Sequence, residues 1–77
     1  MIQVKPQVEK AVGRILNTYI ATEYCYQVVN GTNYFVKVDV GDNKFIQVNL
    51  FRTLDGDITF ISCQDGKTKD DKITLPK

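Results

Sequence analysis

A change in the spacing of apolar residues divides this chain into two parts. Up to about residue 19, apolar residues recur at steps of three and four, which places them on one side of a helix. From about Thr22 onward they alternate with neighbouring residues, the period of a strand. A sheet with one apolar face must be covered, and only one helix is available to cover it. The pattern therefore restricts the chain to an α+β fold.

The spacing predicts a helix over about residues 6–19. Its apolar stripe is formed by Val4, Val8, Ala11, Val12, Ile15, Leu16 and Tyr19. Pro6 suits a first helical turn. Gly13 weakens the helix interior by about 1 kcal/mol relative to alanine, and we expect it to let the helix approach the strands closely.

The remaining sequence predicts four strands, at about 22–29, 32–40, 44–53 and 58–64. The turn signals between them are Asn30-Gly31, Gly41-Asp42-Asn43 and Asp55-Gly56. Connections this short force neighbouring strands to run antiparallel. We expect one domain over residues 1–77, with the helix packed across a curved four-stranded antiparallel sheet.

The composition argues against several classes of partner. The chain has 77 residues, of which 43% are hydrophobic and 25% charged, and its formal net charge is +1. Acids and bases are interspersed, so nothing indicates a nucleic-acid or membrane-binding surface. No apolar run approaches the ~20 residues of a membrane span, and the first residues lack the pattern of a signal peptide.

The chemistry of an enzyme is also missing. There is no histidine, the usual general base and the commonest metal ligand. Cys25 and Cys63 each lie in a strand pattern and are expected to be packed free thiols. They fall on the first and last strands of the meander, and two intervening strands at a spacing of ~4.8 Å keep them too far apart for a disulfide. We expect no enzymatic activity, no metal and no cofactor.

Two predicted turns define a candidate binding surface. In a four-strand meander the turns after strands one and three emerge at the same end of the sheet. These turns are Val29–Thr32 and Leu54–Asp57, and their apolar members are Val28, Val29 and Leu54. A rigid loop loses little entropy on binding. Two such tips side by side form a wedge suited to a partner with a groove.

The first of these turns carries a family motif. QVVNG, residues 27–31, resembles the Gln-x-Val-x-Gly hairpin of the cystatins, and QVVNGTNYFVKVDVG is similar to the stefin branch in particular. Gly41-Asp42 follows where stefins turn. The tail is similar to the stefin ending at Gln64, Lys67, Lys69, Asp71 and Ile73-Thr74. With the preceding helix in place, the resemblance covers nearly the whole chain.

The resemblance implies a reversible, tight-binding inhibitor of papain-like cysteine proteases of the cathepsin type. In that family, hairpin loops enter the active-site cleft and block the catalytic thiol without being cleaved. The corresponding residues here are Gln27, Val28, Val29, Asn30 and Gly31 in the first loop and Leu54, Asp55 and Gly56 in the second. Asn30 and Gly31 would permit the positive φ angles of a tight turn. One of the two valines is expected to face the sheet interior.

Two departures from the stefin pattern predict weaker inhibition than that of a full-length stefin. Stefins carry a flexible glycine-containing arm before the helix, whereas no glycine precedes Gly13 here. The N-terminal strand is therefore expected to be absent or truncated. The second hairpin of stefins usually has Leu-Pro; Leu54 matches, but Asp55 places a charge where the proline would be.

Asn30-Gly31-Thr32 is also a formal glycosylation sequon, and a glycan there would sit on the wedge. A working wedge therefore predicts a cytoplasmic protein. The alternatives at this level are a binding module on the same scaffold and an engineered or truncated core, both without strong protease inhibition. Stefins also exchange N-terminal elements, so a monomer with a domain-swapped dimer as its second state is expected, and inhibition would be lost in the swapped state.

Overall fold

The computed structural model describes residues 4–73; residues 1–3 and 74–77 lie outside the described part of the chain. The elements are α1 (Lys5–Val12), β1 (Ile20–Val29), β2 (Gly31–Asp39), β3 (Phe45–Arg52) and β4 (Ile58–Lys67). The four strands form one antiparallel sheet in the order β1-β2-β3-β4. This confirms the predicted α+β meander. Within residues 4–73 the sheet is open, with β1 and β4 as its two edges.

The helix is shorter than the predicted span of 6–19. It ends at Val12 because Gly13 takes a left-handed conformation, with φ of 76°, and its N–H donates to the Glu9 carbonyl at 2.9 Å. The Glu9 side chain then accepts the N–H of Leu16 at 2.8 Å, which holds the segment that follows. Gly13 has no atom within 4 Å of the position that a Cβ would occupy. The expectation that it allows a close helix–sheet approach is therefore wrong; it stops the helix.

One face of the sheet carries the apolar core and faces α1. The buried core residues are Val4, Val8, Leu16, Val36, Val38, Ile46, Val48 and Leu50. On the sheet these are alternate residues of β2 and β3, paired as Val36 with Val48 and Val38 with Ile46. The helix itself packs against β4. We call this side of the sheet the helix face.

The opposite face of the sheet is also covered, near the end of β2. Lys37 is only 3% exposed, and its Nζ donates to the carbonyl oxygens of Lys69 and Asp71, each at 2.6 Å. The same Nζ lies 5.0 Å from the ring centroid of Phe45. These two hydrogen bonds hold the segment after β4 against this face and satisfy a buried charge that would otherwise be costly.

Candidate functional site

The first loop is tighter than a two-residue Asn-Gly turn. Val29 pairs with Gly31 across the hairpin, so Asn30 alone forms the tip. Gly31 has φ of 114°, whereas the positive φ angles outside glycine, among the described residues, are those of Asp42 and Asn43. The expectation that Asn30 shares the positive φ is therefore wrong. Gly31 supplies the left-handed geometry by itself.

Gly31 is buried against the end of β3. A Cβ at this position would lie 2.5 Å from Cζ of Phe51 and 2.7 Å from the carbonyl oxygen of Arg52. The adjacent pairing of Thr32 with Arg52 continues the same contact along the sheet. The first loop is thus fixed against the last residues of β3, from which the second loop begins.

The second loop is closed by its own hydrogen bonds. The N–H of Gly56 donates to the Thr53 carbonyl at 3.0 Å, and the N–H of Thr53 donates to the Asp57 carbonyl at 2.8 Å. Thr53 also accepts the N–H of Asp57 on its Oγ1 at 3.1 Å. Gly56 takes φ of 93°, which the turn requires. Leu54 and Asp55 stand at the tip of this closed turn.

The two loops lie at the same end of the sheet and present apolar side chains to solvent. Val28 is 72% exposed, Val29 56% and Leu54 80%. Val28 is on the helix face, since it follows Tyr24 and Tyr26 at steps of two, yet it is not buried because α1 packs against β4 at the far side of the sheet. The expectation that one of the two valines faces the sheet interior holds for Val28, although no described residue buries its side chain. Both are available to a partner.

The structure divides the predicted first-loop residues by their exposure to solvent. Val28, Val29 and Asn30 are exposed, Gln27 is half-buried, and Gly31 is buried. Exposed residues offer contact surface, whereas Gly31 sets the shape of the loop. The sequence pattern placed all five residues on one hairpin. Only the packing against β3 shows which of them are exposed and that Gly31 is buried.

Sequence reasoning missed two residues that border the loops. Arg52 ends β3 and Ile58 begins β4; the two are paired, and they line an open groove of about 460 Å³ beside Gly56. Tyr24 and Tyr34 line the same groove from β1 and β2. The signal that would have found Arg52 is its place opposite Thr32, which requires the strand register.

The two cysteines are free thiols and half-buried, on β1 and β4. Burial raises the pKa of the Cys63 thiol, and the nearby Asp65 carboxylate raises it further. A raised pKa lowers the fraction of thiolate, so Cys63 is a poor nucleophile. Within residues 4–73 there is no cluster of three or more histidine, cysteine, aspartate or glutamate side chains suited to a metal ion. No helix in this range is long and apolar enough to cross a membrane.

Comparison with known proteins identifies the family. Residues 3–73 match the family model described as the cystatin domain. The chain belongs to the cystatin family. Cystatins inhibit cysteine proteases and are not enzymes, which confirms the prediction drawn from the missing catalytic residues.

Among cystatins this chain is stefin-like. It is 40% identical over 75 residues to Cystatin-A of Felis catus and, equally, to Cystatin-A of Homo sapiens; each match covers 94% of this chain and 76% of the relative. It is also 39% identical over 71 residues to Cystatin-A2 of Dictyostelium discoideum, covering 92% of this chain and 74% of that protein. These comparisons do not favour the alternative of a cystatin scaffold without inhibitory function.

Proposed function

We propose that this cystatin inhibits papain-like cysteine proteases of the cathepsin type by placing its two loops in the active-site cleft. The observation that carries the proposal is the exposure of Val28, Val29 and Leu54 on two short loops at one end of the sheet. Covering exposed apolar side chains with a groove releases their hydrating water, which favours binding. Side chains on a short, closed turn lose little conformational entropy in the process. The proposed contact between the loops and the cleft is non-covalent, so the inhibition is reversible.

The residues of the two loops have different roles in the proposed contact. Val28 and Val29 supply apolar contact from the first loop, with Asn30 at its tip and Gln27 at its half-buried base. Gly31 lets the backbone turn back against β3. In the second loop Leu54 supplies the apolar contact, while Asp55 and Gly56 complete the turn.

Asp55 sets a limit on affinity. An aspartate at the tip of the second loop must lose hydration when the loop enters an apolar cleft, and it offers no apolar area in return. We therefore propose that inhibition is weaker than that of a stefin with proline at the position of Asp55. Replacing Asp55 by proline tests this: the inhibition constant should fall, and an unchanged or higher constant would show that Asp55 is not the limiting residue.

Titration of papain tests the proposal with a matched pair of variants. Val29→Asp places a charge on the first loop, whereas Ile61→Asp places one in the middle of β4. The two side chains are equally accessible, since Ile61 is 57% exposed and Val29 is 56% exposed. We expect stoichiometric, reversible inhibition that Val29→Asp weakens by at least tenfold and Ile61→Asp leaves unchanged, since a buried unpaired charge costs more than about 1.4 kcal/mol.

Absence of inhibition by the unmodified chain at micromolar concentration would overturn the proposal. An equal loss of inhibition in the two variants would show that the first loop is not the contact surface. Size-exclusion chromatography under the same conditions tests the domain-swapped dimer, since an inhibitory sample that elutes only as monomer contradicts it. We also infer a cytoplasmic location, because a glycan on Asn30 would cover the tip of the first loop.

A further inference from the structure

The asparagines of this chain differ in the residue that follows them. Asn30 precedes Gly31, whereas the others precede threonine, tyrosine, lysine and leucine; they are Asn17, Asn33, Asn43 and Asn49. The backbone nitrogen after an asparagine can attack the side-chain carbon Cγ and close a five-membered ring, a step that proximity within one chain favours. A Cβ on the following residue crowds this nitrogen, and glycine has none. The sequence therefore makes Asn30 the most reactive of these amides.

The fold leaves the Asn30 amide free to turn toward the main chain. Asn30 stands alone at the tip of the first loop, and its side chain is exposed within the described structure. Residues 4–73 provide no hydrogen-bond partner for this side chain. The amide of Asn49, by contrast, accepts from Gln47 at 2.9 Å and donates to Ser62 at 3.1 Å. Ring closure at Asn30 therefore breaks no side-chain hydrogen bond.

Two aspartates are also followed by glycine, and the structure holds both in less reactive arrangements. The glycine after Asp55 donates its N–H to the Thr53 carbonyl at 3.0 Å, inside the closed turn of the second loop. The carboxylate of Asp65 is bound by Arg14 at 2.6 Å. An aspartate is ionised at neutral pH, and its carboxylate must gain a proton before an oxygen can leave as water. The step from Asn30 to glycine is therefore the one that is free to react.

We propose that the first loop modifies itself at Asn30, by closing a succinimide ring with Gly31 that water then opens. The Gly31 nitrogen loses its proton and bonds to Cγ of Asn30, while the bond from Cγ to Nδ2 breaks and the side-chain nitrogen leaves as ammonia. Opening of the ring by water at Cγ yields aspartate. Opening at the backbone carbonyl carbon yields isoaspartate, in which the main chain runs through the side chain. Both products replace a neutral amide by a carboxylate, without oxidation or reduction.

Both products change the surface of the first loop. Each places a negative charge at the tip, beside the exposed Val29. Isoaspartate also adds one carbon to the main chain between Val29 and Gly31. This carbon cannot be taken up by a shift of Gly31 toward β3, since a Cβ on Gly31 would already lie 2.5 Å from Cζ of Phe51. The tip itself must absorb it, which displaces Val29.

The consequence for binding rests on the proposed inhibition, whereas the modification itself does not. A charge at the tip must lose hydration when the loop enters a protease cleft, and a displaced Val29 loses apolar contact. The age of the protein would then set the strength of inhibition, with the neutral amide as the active form.

Incubation of the folded full chain at mildly alkaline pH, followed by peptide mass spectrometry, tests the modification. We expect Asn30 to be converted at least about tenfold faster than Asn33 and Asn43, which serve as references in the same sample. The rate should rise with pH, because the attacking nitrogen must lose its proton. An isoaspartate-specific methyltransferase with S-adenosylmethionine should label the incubated chain. Asn30→Gln should stay unlabelled, since its longer side chain would have to close a larger ring.

Papain titration of the same samples tests the consequence. The inhibition constant should rise at least about tenfold as Asn30 is converted. In Asn30→Gln it should keep its starting value over the same time, and Asn30→Asp should show the raised constant from the beginning. A chain that never inhibits papain would contradict the proposed function, while the conversion of Asn30 would still be measured by mass.

Two results would overturn the proposed modification. The first is an Asn30 that stays intact in the folded chain but reacts in urea, which would show that the hairpin protects it. The second is an equal rate at Asn30, Asn33 and Asn43, which would show that Gly31 confers no reactivity. An inhibition constant that is unchanged after full conversion would overturn the consequence for the first loop.

Discussion

Gly31 lies so close to Phe51 that a Cβ atom on the glycine would come within 2.5 Å of the ring atom Cζ. The same glycine has φ of 114°, a backbone conformation that residues with a Cβ avoid. Two independent restrictions therefore select glycine at one position. Since Phe51 is next to the last residue of β3, this contact joins the first loop to the strand that leads into the second loop.

Gly31→Ala should destabilise the fold and weaken inhibition together. The added Cβ meets both a strained φ and the Phe51 ring, so we expect the free energy of unfolding to fall by about 2–5 kcal/mol. Urea unfolding measures the stability, and papain titration of the folded fraction measures the inhibition.

Gly56→Ala is the matched control for this substitution. Gly56 also has a positive φ, of 93°, but the nearest atom to its Cβ position is Nη2 of the Arg52 side chain, at 3.8 Å. The loss should therefore be that of backbone strain alone, about 1–2 kcal/mol. Equal losses at the two glycines would show that the contact with Phe51 is not significant.

Lys37→Met should loosen the segment that follows β4. The substitution keeps a long side chain in the buried position but removes the donor to the carbonyls of Lys69 and Asp71. We expect a loss of about 1–3 kcal/mol in the free energy of unfolding and faster amide hydrogen exchange over residues 68–73. Lys10→Met, on the exposed side of α1, should change neither. Unchanged exchange in Lys37→Met would show that other contacts hold the segment.

Asp65→Asn should reduce the sensitivity of stability to acid. The hydrogen bond from Arg14 lowers the pKa of Asp65 below its ordinary value. A carboxyl with a lowered folded-state pKa contributes stability above its unfolded pKa of about 3.9, and this contribution is lost as the pH falls through the folded-state pKa. The effect is small because both side chains are partly exposed.

The measurement is urea unfolding at neutral pH and at a pH below the lowered folded-state pKa of Asp65. The unmodified chain should be the more stable at neutral pH, and the two chains should converge in acid. High salt should shrink the neutral-pH difference, since exposed ion pairs are screened. A difference that persists in acid would assign the effect of Asp65 to packing rather than to charge.

Cys63 should react slowly with alkylating reagents. Its pKa is raised by burial, and only the thiolate reacts with iodoacetamide. Mass spectrometry of peptides after timed alkylation should show a slower rate at Cys63 than at free cysteine, rising to that of free cysteine in denaturant. A rate equal to that of free cysteine in the native state would contradict the assigned environment.

The sequence predicted the strands better than it predicted the helix. All four strands lie within three residues of their expected bounds, since alternation is a property of neighbouring residues. The helix ends seven residues before the expected position. The apolar steps that continue to Tyr19 suggested a longer helix, and the left-handed Gly13 ends it. A glycine after a run of helical steps is the stop signal that would have found this end.

The sequence predicted the positions of the two candidate loops but not how they pack against the rest of the sheet. Gln27–Gly31 and Leu54–Gly56 do form two loops at one end of the sheet, as the meander implies. The strand pattern alone did not show which of Val28 and Val29 is exposed, and in the structure both side chains are exposed. It also gave no indication that Gly31 is buried against Phe51, because that contact joins residues of different hairpins.

The sequence by itself determined the number and order of the elements, the places where the chain turns, and the family motif of the first loop. Each of these depends on residues close together in the chain. Only the tertiary structure decided that Val28 stays exposed on the helix face and that Lys37 is buried. Burial at these positions depends on what distant segments cover, and α1 packs against β4 while the segment after β4 packs over Lys37.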